Sequence, residues 1–448
     1  MILECVGKNS VFLLVFFKEE YIKMKVKMKR IILIGLLISM VISCFSLIHA
    51  ENDTISAEEA FTLAVLHYYG NATGETDTAA DDYVMTPLYD QDDTIVYYCF
   101  DFLEDEKGKG YAVIAANIDY LLCPELSYDG FSRYYQNALE GEVNIYYSPL
   151  AHFTKKATAK NKNTAYYCNE IEISAKNIQG KIYKGFKKDN LQLINKTEQS
   201  IQTLGTGIVV YEDPYYYLQN NGFTNVGCST FGSIESGMGN SKHAMYDSYN
   251  STIDSGINFS NGLFLKNKNH CAITAMANIM MYWRSICCPN YPANYDDMFA
   301  AVCKAAVDKM YFYAAADISS GFSGKVSEVF LEANSRFSYN GTVKIQNKAT
   351  WDFLTLYIKD YNWPIFMGFS NEAMFEYSQH AVVAFGYTVM NCRKGNIDFT
   401  FKYVKVNDGW AMSQGSSIAE TVYINWNMIE DYEYDDFTSM YAFCPYQV

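Results

Sequence analysis

The stretch NKNHCAITAMANIMMYW, residues 267–283, decides how the fold is read. From Ala272 to Trp283 the residues are apolar or good helix formers, and apolar side chains fall on nearly every helical face. Such a helix is buried. The polar NKNH ahead of it supplies an N-terminal break, which places Cys271 in the first turn of a core helix. The unpaired N–H groups of a first turn favour anions, so they lower a thiol pKa and stabilise the thiolate, the nucleophilic form. The plain alternative is a small buried hydrophobe, the commonest fate of a free cysteine.

A thiolate nucleophile needs a base. The histidines are His49, His67, His152, His243, His270 and His380. His270 adjoins Cys271, and backbone geometry points the two side chains apart. Only His380 follows the helix, in SQHAVVAFGY, at the mouth of a short β-branched strand. WPIFMG at 363–368 reads as a neighbouring strand. FTFKYVKV at 399–406 alternates as a third and ends in Asn407-Asp408-Gly409-Trp410. A carboxylate or amide there can accept from an imidazole N–H and fix its tautomer. Taken alone, the same residues read as an ordinary turn between strands.

Working outward, 50% of the 448 residues are hydrophobic and 19% charged, too apolar for disorder and too mixed for a multi-span membrane protein. The net charge of −15 argues against nucleic acid or an anionic membrane as the main partner, because phosphates would be repelled. The basic KMKVKMKR at 23–30 and the apolar run at 31–42 fit a secretory signal, with Ala50 a cleavage point and translation starting at Met1, Met24 or Met28. A second reading takes Val41-Ile42-Ser43-Cys44 as a lipobox with a lipid anchor at Cys44. The 12 cysteines show no spacing that indicates a zinc site, and no feature demands a metal or other cofactor.

Residues 51–190 read as a small α+β domain. Ser56 and Glu59 make a capping box ahead of an apolar helical run ended by Gly70, and 95–100 and 111–115 read as strands. Residues 154–165 read as an exposed loop. Residues 191–260 read as a linker, with 228–262 a long irregular surface segment open to proteolysis. Residues 261–448 form the second folded part.

The order Cys on a helix, then His, then Asp or Asn on later strands resembles the papain-like cysteine peptidases. Cys271 in HCAITA, His380 in HAVVAFGY and Asp408 in VNDGW carry the resemblance. Asp408 fits the register to the tryptophan better than Asn407, and it stands where the family has Asn. GYAVI at 110–114 and PELSYDG at 124–130 look like the N-terminal region of the bacterial streptopain-like branch. The resemblance implies an α+β fold in which a central Cys-bearing helix packs on an antiparallel sheet or half-barrel. It also implies an inhibitory prodomain over 51–190, ahead of a catalytic domain over 261–448. The implied activity is that of a secreted cysteine endopeptidase acting on protein or peptide substrates. The family's oxyanion Gln would fall at Leu265, so Asn267 and Asn269 are the substitutes, with the Cys271 N–H. Two other readings remain: a transglutaminase-like acyltransferase with the same Cys-His-Asp order, and a non-catalytic binding protein on a papain-like scaffold.

Overall fold

Stretches rich in Tyr, Phe, Val and Ile with alternating exposure dominate the chain, and they form strands. The computed structural model describes residues 53–447, apart from 75, 140, 150, 158–163, 169–170, 174–183, 195–212, 235–270, 310–324, 370–379, 408–418, 420 and 431–437. The leader expected over 1–50, with Ala50 and Cys44, lies outside the described residues. No helix among the described residues is long and apolar enough to cross a membrane.

The N-terminal half runs α1 (Ala57–Gly70), β1 (Asp82–Tyr89), β2 (Ile95–Glu104), β3 (Lys107–Ala115), β4 (Glu125–Ser127) and α2 (Arg133–Leu139). It continues through β5 (Val143–Ser148), β6 (Ala151–Ala157), β7 (Thr164–Cys168), β8 (Ile171–Ile173) and α3 (Lys187–Ile194). Then come α4 (Pro214–Asn220) and β9 (Phe223–Ser233). The C-terminal half contains α5 (Cys271–Ile286), α6 (Tyr295–Asp308), α7 (Val326–Ser335), β10 (Tyr339–Gln346) and α8 (Trp351–Thr355). It closes with β11 (Ile365–Phe369), β12 (His380–Lys394), β13 (Ile397–Asn407), β14 (Thr421–Asn425), α9 (Asn427–Glu430) and β15 (Thr438–Gln447).

The architecture is mixed α+β, built on one large, mostly antiparallel sheet. Its order is β10-β15-β11-β12-β13-β14-β4-β3-β2-β1-β5-β6-β7-β8, with β9 paired to β12. β1 and β5 form a parallel pair, through Tyr89 and Ile145. β12 is the hub. Its first residues pair with β11, a register shift follows between Ala384 and Gly386, and the rest pairs with β9 on one side and β13 on the other.

The capping box forms as expected: Glu59 N–H donates to Ser56 Oγ at 3.2 Å, and Ser56 N–H to Glu59 Oε2 at 2.8 Å. Gly110 has φ of +129°, and a Cβ there would overlap the Ser127 carbonyl, so this glycine is what lets β3 close against β4.

Two expectations need correction. The loop expected at 154–165 is in part a β6–β7 hairpin, with Phe153 and Thr154 buried. Lysines do not prevent strand pairing when they reach a partner, and Lys155 Nζ lies 2.6 Å from Asp93 Oδ1. The linker expected over 191–260 contains α4 and β9, and the expected irregular segment at 228–262 begins inside β9. Backbone pairing with β12 organises that glycine- and serine-rich stretch despite its weak side-chain pattern.

The two halves share a sheet and both cores. β14 pairs with β4 through Tyr423–Leu126 and Ile424–Glu125. The core of the C-terminal half includes Leu121, Ile145, Tyr147 and Phe153 from the N-terminal half. The core of the N-terminal half includes Met390, Cys392, Tyr403 and Tyr423 from the C-terminal half. Residues 54–448 form one compact unit.

Candidate functional site

α5 begins at Cys271 and is buried through Met280 and again at Tyr282 and Trp283. It lies against β11, β12 and β15. All-round apolarity sends this helix into the core, and its start brings Cys271 to the first residues of β12. The Cys271 sulfur accepts hydrogen bonds from the backbone N–H groups of Ala381 and Ala272. Ala381 directly follows His380, the first residue of β12. In the register His380 opposes Phe369 and Ala381 opposes Gly368 of β11. Of His380 the backbone is described, and it lies one residue from the backbone group that reaches the sulfur.

β13 runs antiparallel to β12, pairing from Lys394–Ile397 to Val383–Asn407, so its C-terminal end is directed toward the end of β12 that begins at His380. Asn407 closes β13 and is buried. Its Oδ1 accepts from Asn278 Nδ2 at 3.4 Å. Asn278 lies two turns beyond Cys271, on the same side of α5. One helix therefore touches both the residue after His380 and the residue before Asp408. Asp408, Gly409 and Trp410 lie outside the described residues, as do Asn267, Asn269 and His270.

The Asn278–Asn407 contact was not read from the sequence. The signal was present: an amide sits alone among the apolar residues of AITAMANIMMYW. A buried amide needs a partner, and this one finds it across the fold. The Asn278 Oδ1 has no hydrogen-bond partner.

The electrostatics at Cys271 differ from the expectation. Burial pushes the thiol up to about 11, while the N–H groups of Ala381, Ala272 and Cys271 itself pull it down. The first-turn effect is present and loses to desolvation, because removing a thiolate from water costs more than a few backbone dipoles return. In this state of the chain Cys271 is protonated at neutral pH.

A cavity of about 220 Å³ lies elsewhere, at the seam between the halves, lined by Thr73, Asp129, Phe231, Tyr387 and Lys405 among others. Cys271 does not line it. Lys405 Nζ donates to Ser233 Oγ at 3.2 Å there. Among the described residues no group of three or more His, Cys, Asp or Glu side chains is placed to hold a metal ion.

No protein-family model matches the chain, and none of the curated proteins compared with it is similar.

Proposed function

We propose that the chain is a secreted papain-like cysteine endopeptidase made as a latent precursor. Cys271 is the nucleophile, His380 the general base and acid, and Asp408 the orienting group, with Asn407 as the alternative. The reading rests on one observation above all. The sulfur at the start of α5 is bonded by the N–H of the residue next to His380, although 110 positions separate Cys271 and Ala381 in the sequence. A buried helix packed across antiparallel β11 and β12 supports the papain-like arrangement.

In the proposed reaction the Cys271 thiolate attacks a peptide carbonyl. N–H donors, with Asn267 or Asn269, hold the oxyanion. The His380 imidazolium protonates the leaving amine, and water then releases the acyl-enzyme. Latency follows from packing. Leu121, Tyr147 and Phe153 belong to the same apolar cluster as Cys271, and burial is what keeps the thiol protonated. Cleavage within 191–260 and loss of the N-terminal half would return water to Cys271 and lower its pKa.

The same burial is the observation that favours a second reading, a non-catalytic scaffold with an inert structural cysteine. Hydrolysis of a denatured protein substrate after limited proteolysis separates the two. Activity abolished by Cys271→Ala supports the peptidase. A processed chain without activity, whose Cys271 stays unreactive toward iodoacetamide, supports the scaffold. Amine incorporation without net cleavage would point to the acyltransferase.

A further inference from the structure

The seam cavity of about 220 Å³ has no part in the proposed reaction, and its walls come from both halves. Tyr128 and Asp129, just after β4, line it from the N-terminal half. Phe231 and Ser233 on β9, Tyr387 on β12 and Lys405 on β13 line it from the other side. Pockets for drug-sized ligands run from about 300 to 1,000 Å³, so this one suits a smaller molecule.

Two opposite charges share the space. Lys405 Nζ donates to Ser233 Oγ at 3.2 Å and stands over the Phe385 ring, 5.1 Å from its centroid. Asp129 Oδ1 lies 2.7 Å from Ser127 Oγ. Asp129 is exposed to solvent, yet burial is the main cause that raises its carboxyl pKa, and the charge of Lys405 opposes the rise. A group at once accessible and deeply enclosed lies inside a recess. The other acid of the lining, Asp77, is matched by Lys109, whose Nζ lies 2.5 Å from Asp77 Oδ2. Aromatic surface stands beside the charges: Tyr387 is buried, while Phe231 is 44% exposed and has apolar area left to cover.

We propose that the seam cavity binds a free α-amino acid with an apolar side chain, its carboxylate on Lys405, its ammonium on Asp129 and its side chain against Phe231 and Tyr387. Charge selects this class. A simple anion drawn to Lys405 would be repelled by Asp129, and a simple cation drawn to Asp129 would be repelled by Lys405. A zwitterion matches both, and an ionised carboxylate has acceptor sites for more than one donor. A neutral sugar would leave both attractions unused. Because the two charges belong to different halves, the occupant bridges them and stabilises the joined state. Cys271 takes no part, so the proposal stands or falls apart from the peptidase reading.

The test titrates L-phenylalanine into the full chain by calorimetry, with thermal unfolding alongside. Saturable binding at millimolar concentration or below is expected, with a Tm that rises as the amino acid is added. Hydrocinnamate lacks the ammonium and phenethylamine lacks the carboxylate. Each should bind at least about tenfold more weakly, the loss of one charged contact. Lys405→Met should remove the preference for L-phenylalanine over phenethylamine, and Asp129→Asn the preference over hydrocinnamate. Absence of saturable L-phenylalanine binding, an analogue that binds as tightly as the amino acid, or D-glucose binding in its place would each overturn the proposal. All three are read on the native chain, so none depends on a variant folding.

Discussion

The His67 imidazole and the Tyr403 hydroxyl share a hydrogen bond of 2.8 Å across the seam, His67 on α1 of the N-terminal half and Tyr403 on β13 of the C-terminal half. Both are fully buried, and the Phe401 ring stands edge-on to the imidazole with centroids 4.7 Å apart. Nε2 has no hydrogen-bond partner. Desolvation holds the His67 pKa down at about 3.

Acid should therefore loosen the seam. A depressed histidine pKa contributes stability that is present above about 6.5, the unfolded value, and lost as pH falls toward about 3. The full loss is on the order of 5 kcal/mol. Asp101 works the other way. Its buried carboxyl, held up to about 7, contributes most in acid and loses that contribution as pH rises. Between pH 7 and pH 4 these two contributions nearly offset one another, so the test is a comparison: in urea unfolding His67→Gln should lose less stability toward acid than the native chain does. An identical slope in the variant would assign the acid sensitivity elsewhere.

Alkylation of Cys271 should be slow at neutral pH in the intact chain and rise as pH approaches about 11, where the buried thiol ionises. The raised pKa also makes the folded state lose stability as pH climbs from the unfolded thiol value of about 8.5 toward about 11. After cleavage within 191–260 and separation of the halves, the midpoint of the rate profile should move down by at least a pH unit, or about tenfold in rate at neutral pH. Iodoacetamide kinetics followed by mass spectrometry measure both states.

Asn278→Ala should cost about 0.5–1.5 kcal/mol, because it removes the buried hydrogen bond between α5 and the end of β13. Asn278→Ala with Asn407→Ala should be less destabilising than the sum of the single changes, since both remove the same hydrogen bond. Denaturant titration of the four chains reads the coupling directly.

Gly110→Ala should destabilise by about 1–3 kcal/mol from backbone strain alone, with further loss from overlap with Ser127. Thermal unfolding of the variant tests it. An unchanged midpoint would mean that β3 and β4 tolerate a side chain where the geometry leaves no room.

Much of the framework was legible because it depends on local pattern. The apolar run after Cys271 specifies a buried helix whatever surrounds it, and Ser56 with Glu59 caps α1 through contacts three residues apart. β12 and β13 follow from β-branched and aromatic runs. What escaped depends on distant partners. FTNVGCSTFGS in β9 carries no strong alternation and becomes a strand through backbone pairing with β12, more than 150 positions away. Asn278 and Asn407 are separated by 129 positions. The sign of the Cys271 shift escaped for the same reason: the first turn is local, but the burial that outweighs it is tertiary.

The most direct measurement is hydrolysis of a denatured protein by the chain after limited proteolysis within 191–260, run side by side for the native sequence, Cys271→Ala and His380→Ala. The account predicts cleavage by the native chain and a fall of at least about a thousandfold, to background, in both variants. Undiminished cleavage by Cys271→Ala would contradict it.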